Sequence, residues 1–292
     1  MRRNLDRLLR DYIAPPPGMR PVDFSAPQGA SALFAPHSVT WRVMKNPVAL
    51  MVGGIAAVIL ELAEPRVRTG VWEHTTFRND PVTRMRRTGY AAWVTVYAPA
   101  EAARALIAGV ARAHDRIEGY TPAGAPYRAN DPELLTWVHA TAGFGFFEAY
   151  RRYVRGLSAE ELDSVYREGA TTARLYGATA PPTSAADLDA LFAAMRPKLE
   201  RSEIVPEFLK IVRAAPLLPW RRLQSLMSRA AVEITPDWAR ELLGLGDEYG
   251  FKPGYKSLVC ALGAAADRLV LEGAPPALAC ARLGLPANYL YR

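Results

Sequence analysis

Histidine and cysteine are scarce in this chain, four and two among 292 residues. The two thiols, Cys260 and Cys280, build no disulfide framework and fit a reducing, cytoplasmic compartment. His37, His74, His114 and His139 show no HxxxH spacing, and there is no paired-cysteine motif, so no directly ligated metal centre stands out. β-Branched residues are sparse beside alanine, which disfavours a sheet protein. No apolar run is long enough to span a bilayer comfortably, because the most hydrophobic stretch, Pro47 to Leu60, runs into Glu61 and Glu64. It predicts a buried central helix, where Gly53 and Gly54 let another helix or a flat ligand approach closely. The basic N-terminus lacks the apolar core of a secretory signal, although Leu5 to Ile13 is amphipathic enough to leave peripheral membrane contact open. The net charge of +7 comes from arginine spread along the chain. Without a helix-turn-helix, zinc-finger spacing or an aromatic RNA-binding strand, that excess does not indicate a nucleic-acid partner.

What is present is helical. A chain of this length, half of it apolar, can bury a large core without staples. Residues 1–36 read as an N-terminal arm, with a short helix over 1–13 and an irregular Pro/Gly segment over 14–36. Residues 37–292 read as one globular all-α domain. Pro47, Pro81, Pro99 and Pro132 mark helix starts, and Ser158 with Glu161 forms a capping box. The stretch YAAWVTVY, residues 90–97, is compatible with either strand or helix. The helix opened by Pro99 is expected to run to Gly119, residues 120–130 to form a loop, and the chain beyond about 272 to be a tail.

Several polar residues lie on apolar faces. His114 follows Val110 by four and Ile107 by seven residues, so it shares their stripe. It is either a core histidine bonded to a carbonyl or a neutral imidazole available to iron, as in haem ligation. Glu118, four residues on, suits a metal pair or an imidazole–carboxylate contact. His139 faces inward on the next long helix, beside small Ala140–Gly143 and bulky Phe144, Phe146 and Phe147. Arg84 and Thr88 stand at i and i+4 and can address one object. A buried arginine needs a carboxylate, a propionate or a ligand oxygen, with Glu61, Glu64 and Glu73 available internally. His74, ten residues before Arg84, is a candidate acid/base group or a turn residue.

Four blocks in order, EPRVRTGVWEHTTFRNDPVTRMRRTGYA, GVARAHDRIEG, DPELLTWVHATAGFGFFEAYRRY and LSAEELDSVYREG, carry a family resemblance. Over roughly residues 40–250 the chain resembles the bacterial DUF2236 family, which is grouped with the fungal MpaB-type oxygenase and the latex-clearing rubber oxygenase. The resemblance implies a helical fold with b-type haem in a haem-sized core site and His114 as the axial iron ligand. It also implies that Arg84 and Thr88 match an arginine–threonine pair beside the haem. Glu64 and Glu73 stand near the place of the rubber oxygenase's catalytic glutamate without falling on it. His74 and His139 are expected to replace or accompany that group on the distal side.

The expected function is therefore a haem-dependent oxygenase or oxidase. It would use dioxygen or peroxide on an apolar or moderately polar small organic molecule, with a redox partner left open. A non-catalytic haem or apolar-ligand binder and a helical structural protein are the alternatives.

Overall fold

Four helices begin with the same device. In the computed structural model, which describes residues 14–218 and 220–291, a polar side chain caps a helix whose first residue is proline. Asn46 accepts from the amides of Val48 and Ala49 to open α2 (Pro47–Glu61), which follows the short α1 (Val39–Met44). Glu64 accepts from Val67 N to open α3 (Pro65–His74). Asp80 accepts from Thr83 N to open α4 (Pro81–Tyr97), and Asp131 caps α6 (Pro132–Tyr153) through the amides of Glu133 and Leu134. Proline supplies a preset φ where its missing N–H costs nothing, and the cap satisfies donors left free by the first turn.

Between α4 and α6 lie α5 (Ala100–His114) and an antiparallel hairpin, β1 (Glu118–Tyr120) with β2 (Pro126–Arg128), in which Gly119 faces Tyr127. The rest of the described chain is helical: α7 (Ala159–Tyr176), α8 (Ala185–Met195), α9 (Ile204–Ala214), α10 (Arg221–Ile234), α11 (Asp237–Leu243), α12 (Tyr255–Arg268) and α13 (Pro275–Arg282), with two short 3-10 turns. The predominantly helical expectation holds.

Two local readings change near the hairpin, one open reading is settled, and the tail expected beyond about 272 instead carries the helix α13. α5 ends at His114, not at Gly119. Ile117 N closes a turn onto His114 O at 2.9 Å, and Ala129 N then bonds Ile117 O at 2.9 Å, which draws the chain into the hairpin. Glu118 therefore leaves the helix and pairs with Arg128 on the neighbouring strand, at 3.4 Å. Residues 120–130 contain β2 in place of a plain loop. The stretch 90–97 is the buried end of α4, with Trp93, Val94, Val96 and Tyr97 in the core. Tertiary burial decides such a segment when local propensity is divided.

The centre is the α2–α6 crossing. A Cβ on Gly53 would lie 2.6 Å from the carbonyl carbon and oxygen of Gly145, so the two backbones touch. Around this contact pack Val52, Ala56, Ile59, Trp137, Phe147 and Tyr150. The C-terminal stretch is tied down. Arg282, fully buried, donates to the carbonyls of Ala30, Phe24 and Tyr97 at 2.8, 2.6 and 2.8 Å. Arm residues 24–30 are thereby fastened to α4 through α13. Lys45, at the end of α1, pairs with Asp267 at 2.8 Å and lies over Tyr291.

No single helix among the described residues is long and apolar enough to cross a membrane. The α2–α3 pair meets that test only jointly and is bent by 114° at its break. The expected helix over 1–13 and its amphipathic face lie outside the described residues.

Gly145→Ala tests the crossing. Helix propensity alone favours alanine by about 1 kcal/mol, whereas overpacking typically costs about 1–3 kcal/mol. A Cβ on Gly145 would run into the Gly53 carbonyl oxygen and lie 3.0 Å from its carbonyl carbon, so the steric effect should win. The expected result is a lower urea midpoint with an unchanged slope; an unchanged or raised midpoint would refute the packing argument.

Candidate active site

Arg84 and Thr88 project from one face of α4, and the Arg84 guanidinium donates to the Thr88 hydroxyl. The hydroxyl donates in turn to Arg84 O at 3.1 Å, which holds the side chain against its own helix. The guanidinium also sits 5.8 Å from the Phe77 ring centroid. Arg84 lies at the junction of two cavities, and Glu61, the last residue of α2, is the other residue that lines both.

The first cavity is apolar, walled by Met51, Ile55, Val58, Phe77, Trp93 and Phe146, with Thr88 at its polar edge. Thr88 and Gly89 are exposed, so this cavity reaches the surface along α4. The second contains His114, with Val71, Leu135 and Val138 on its apolar side and Arg66, Arg128 and Tyr127 on its polar side.

Electrostatics at the junction follow from burial. Desolvation pushes the Glu61 carboxyl up to about 7, against the opposing effects of the Arg84 charge and a Thr141 hydrogen bond. Burial likewise pushes Arg84 down, while Glu61 supports its charged form and Arg87 opposes it. Among the described residues, no carboxylate closes an ion pair with Arg84. Near neutral pH the junction therefore holds a cation beside a partly protonated acid. Burial lowers His114 from its ordinary value, Asn130 and Asp115 act in the opposite direction, and the Arg84 charge adds to the lowering. Burial thus favours the neutral form of the imidazole.

The other expected residues separate. His74 is exposed at the end of α3, with Nε2 3.0 Å from the Tyr127 hydroxyl. Tyr127 reaches Glu73 at 3.4 Å and lines the His114 cavity, so His74 touches that cavity only through the phenol. His139 lines neither cavity. It faces α7, where it bonds the Gly169 backbone, and burial lowers it to about 4. His37 is exposed just before the N-cap of α1. Glu64 caps α3 and pairs with Arg66 at 2.7 Å.

From the sequence, Glu61 is a charge ending an apolar run and a salt-bridge option for Arg84, with no role at a cavity. Its helical spacing of seven after Gly54 and three after Val58 puts it on the face that lines the apolar cavity, and that was the available signal. Tyr127 and Asn130 gave no comparable signal, because they come from the hairpin and the turn after it. Among the described residues, no group of three or more His, Cys, Asp or Glu side chains could hold a metal ion directly.

Comparison with known proteins finds one family. The ER-bound oxygenase mpaB/B'/rubber oxygenase catalytic domain matches residues 41–258. No curated protein and no solved structure matches the chain.

The weakened acidity of Glu61 has a measurable consequence. Its folded value, about 7, lies above the ordinary glutamate value of 4.5. The folded state then holds a proton that the unfolded state loses, so stability falls as pH rises through that window and levels off above it. Glu61→Gln should flatten the fall, which amounts to at most roughly 3 kcal/mol. Urea unfolding at pH 4.5, 6 and 8 checks this; equal pH profiles for the two proteins would remove Glu61 as the titrating group.

Proposed function

The chain belongs to the mpaB/rubber oxygenase catalytic-domain family, and from that premise we propose a haem b-dependent oxygenase or oxidase acting on a small, largely apolar organic molecule. The observation that carries this reading is the shared Glu61–Arg84 junction between an apolar cavity and a cavity containing a neutral imidazole. The donor set fits such a cofactor. His114 offers a nitrogen lone pair, and Arg84 offers a desolvated positive charge suited to an anionic group. Haem, when bound, would supply the activation of dioxygen or peroxide.

The chain's own residues set the surroundings. His114 would bind the iron and fix its position at the end of α5. Arg84 would hold a cofactor carboxylate or stabilise negative charge developing at the junction, with its guanidinium oriented by Thr88. Glu61, balanced near neutrality, would give or take a proton at its carboxyl group. We assign the main proton-transfer role to Glu61, because His139 lines neither cavity and His74 reaches the site only through Tyr127. The apolar cavity would hold the substrate and exclude water.

A haem or apolar-ligand binder without turnover is the second reading, supported by the apolar lining of the first cavity. It gives the same haem spectrum with no substrate-dependent uptake of oxygen or peroxide.

The test is haem reconstitution followed by visible spectroscopy. Wild-type protein should develop a Soret band with saturable uptake, and His114→Ala should lose it or shift to a different ligation state. Wild-type protein that takes up no haem would sink the proposal.

A further inference from the structure

Asn130 sits in the turn between β2 and α6, opposite the last turn of α5. Its Nδ2 donates to Ala111 O at 3.0 Å and to Asp115 Oδ1 at 2.6 Å. These acceptors flank His114 in sequence, and they use both protons of the amide nitrogen. The amide is therefore held in one orientation. The turn is also fixed by its backbone, with Ala129 N bonded to Ile117 O at 2.9 Å and Asp131 N to Arg128 O at 3.0 Å. The remaining polar atom, Asn130 Oδ1, is buried and takes no hydrogen bond among the described residues. It lies beside the His114 side chain. A buried amide oxygen without a donor is costly, so a ring N–H directed at it is the arrangement that satisfies both groups.

We infer that Asn130 is a positioning residue that fixes the tautomer and ring orientation of His114, so that the other ring nitrogen presents its lone pair to the cavity. The polar and charged groups around this ring come from several elements. Arg84 faces it from α4, Asp115 follows it on its own strand of chain, and Arg66, Arg128 and Tyr127 line the same cavity from α3 and β2. A second group that orients a metal-binding histidine commonly changes metal affinity by about 10–100-fold. The tautomer claim stands on the haem-free protein, and its consequence for iron rests on the function proposed above.

Long-range nitrogen–proton NMR of metal-free, histidine-labelled protein tests the inference, with the His114 signals identified by their loss in His114→Gln. Wild type should show one neutral tautomer for His114. Asn130→Leu should give a mixture or the opposite tautomer. Asp115→Ala, an exposed change that frees one amide proton, should loosen the preference by a smaller amount. Haem titration should then show about 10–100-fold weaker uptake by Asn130→Leu. A His114 tautomer that averages in wild type, or that stays unchanged in both variants, overturns the inference even if haem binds normally. A fixed tautomer, lost in both variants, in a protein that takes up no haem supports the Asn130 assignment and overturns the proposed function instead.

Discussion

The rest of the structure depends on the contact between the backbones of Gly53 and Gly145. Two helices cross here without side chains between them. That closeness sets the register of the neighbouring turns. Two turns beyond Gly53 stands Glu61, and one turn before Gly145 stands Thr141. The two meet, and Thr141 hydrogen-bonds the Glu61 carboxyl at the cavity junction. A larger residue at either glycine would move the acid away from its partners, so the packing constraint is also a constraint on the site.

From that junction outward, each group has a physical counterpart. α4 brings Arg84 and Thr88 to the first cavity beside Glu61, while α5 brings His114 into the second. Burial keeps the acid partly protonated and the imidazole neutral, and it leaves the guanidinium without a closed ion pair among the described residues. Such an arrangement costs folding energy, because a desolvated cation and a desolvated acid are both held away from water. Among the described residues no salt bridge to Arg84 offsets that cost, and only the longer-range attraction of Glu61 supports the charge. Arg282 and Lys45 contrast with it, since each is buried with its donors directed at carbonyls or a carboxylate.

Local signals made much of this legible. Pro47, Pro81 and Pro132 marked helix starts that the fold uses, and Pro99 stands immediately before α5. The i, i+4 spacing of Arg84 and Thr88 and the stripe position of His114 pointed to groups that the fold does bring to adjoining cavities. Periodicity failed where long-range bonds take over. The hairpin forms because Ala129 and Asn130 capture groups at the end of α5, and nothing between residues 114 and 119 announces that partner. His139 has an inward phase, but phase alone does not distinguish a cavity from the neighbouring α7. Glu61 was visible as a charge ending an apolar run, yet its desolvation depends on Arg84, Thr141 and two cavities assembled from distant segments.

The central claim is that His114 binds the iron of a haem held between these helices. Resonance Raman spectroscopy of the ferrous, haem-loaded protein tests it directly, using natural-abundance and nitrogen-15 histidine. The account predicts an iron–histidine stretching band that shifts with the isotope and is absent from His114→Gly supplied with natural-abundance imidazole. A haem-loaded wild-type protein with no isotope-sensitive band, or a band that persists unchanged in that variant, would contradict the account.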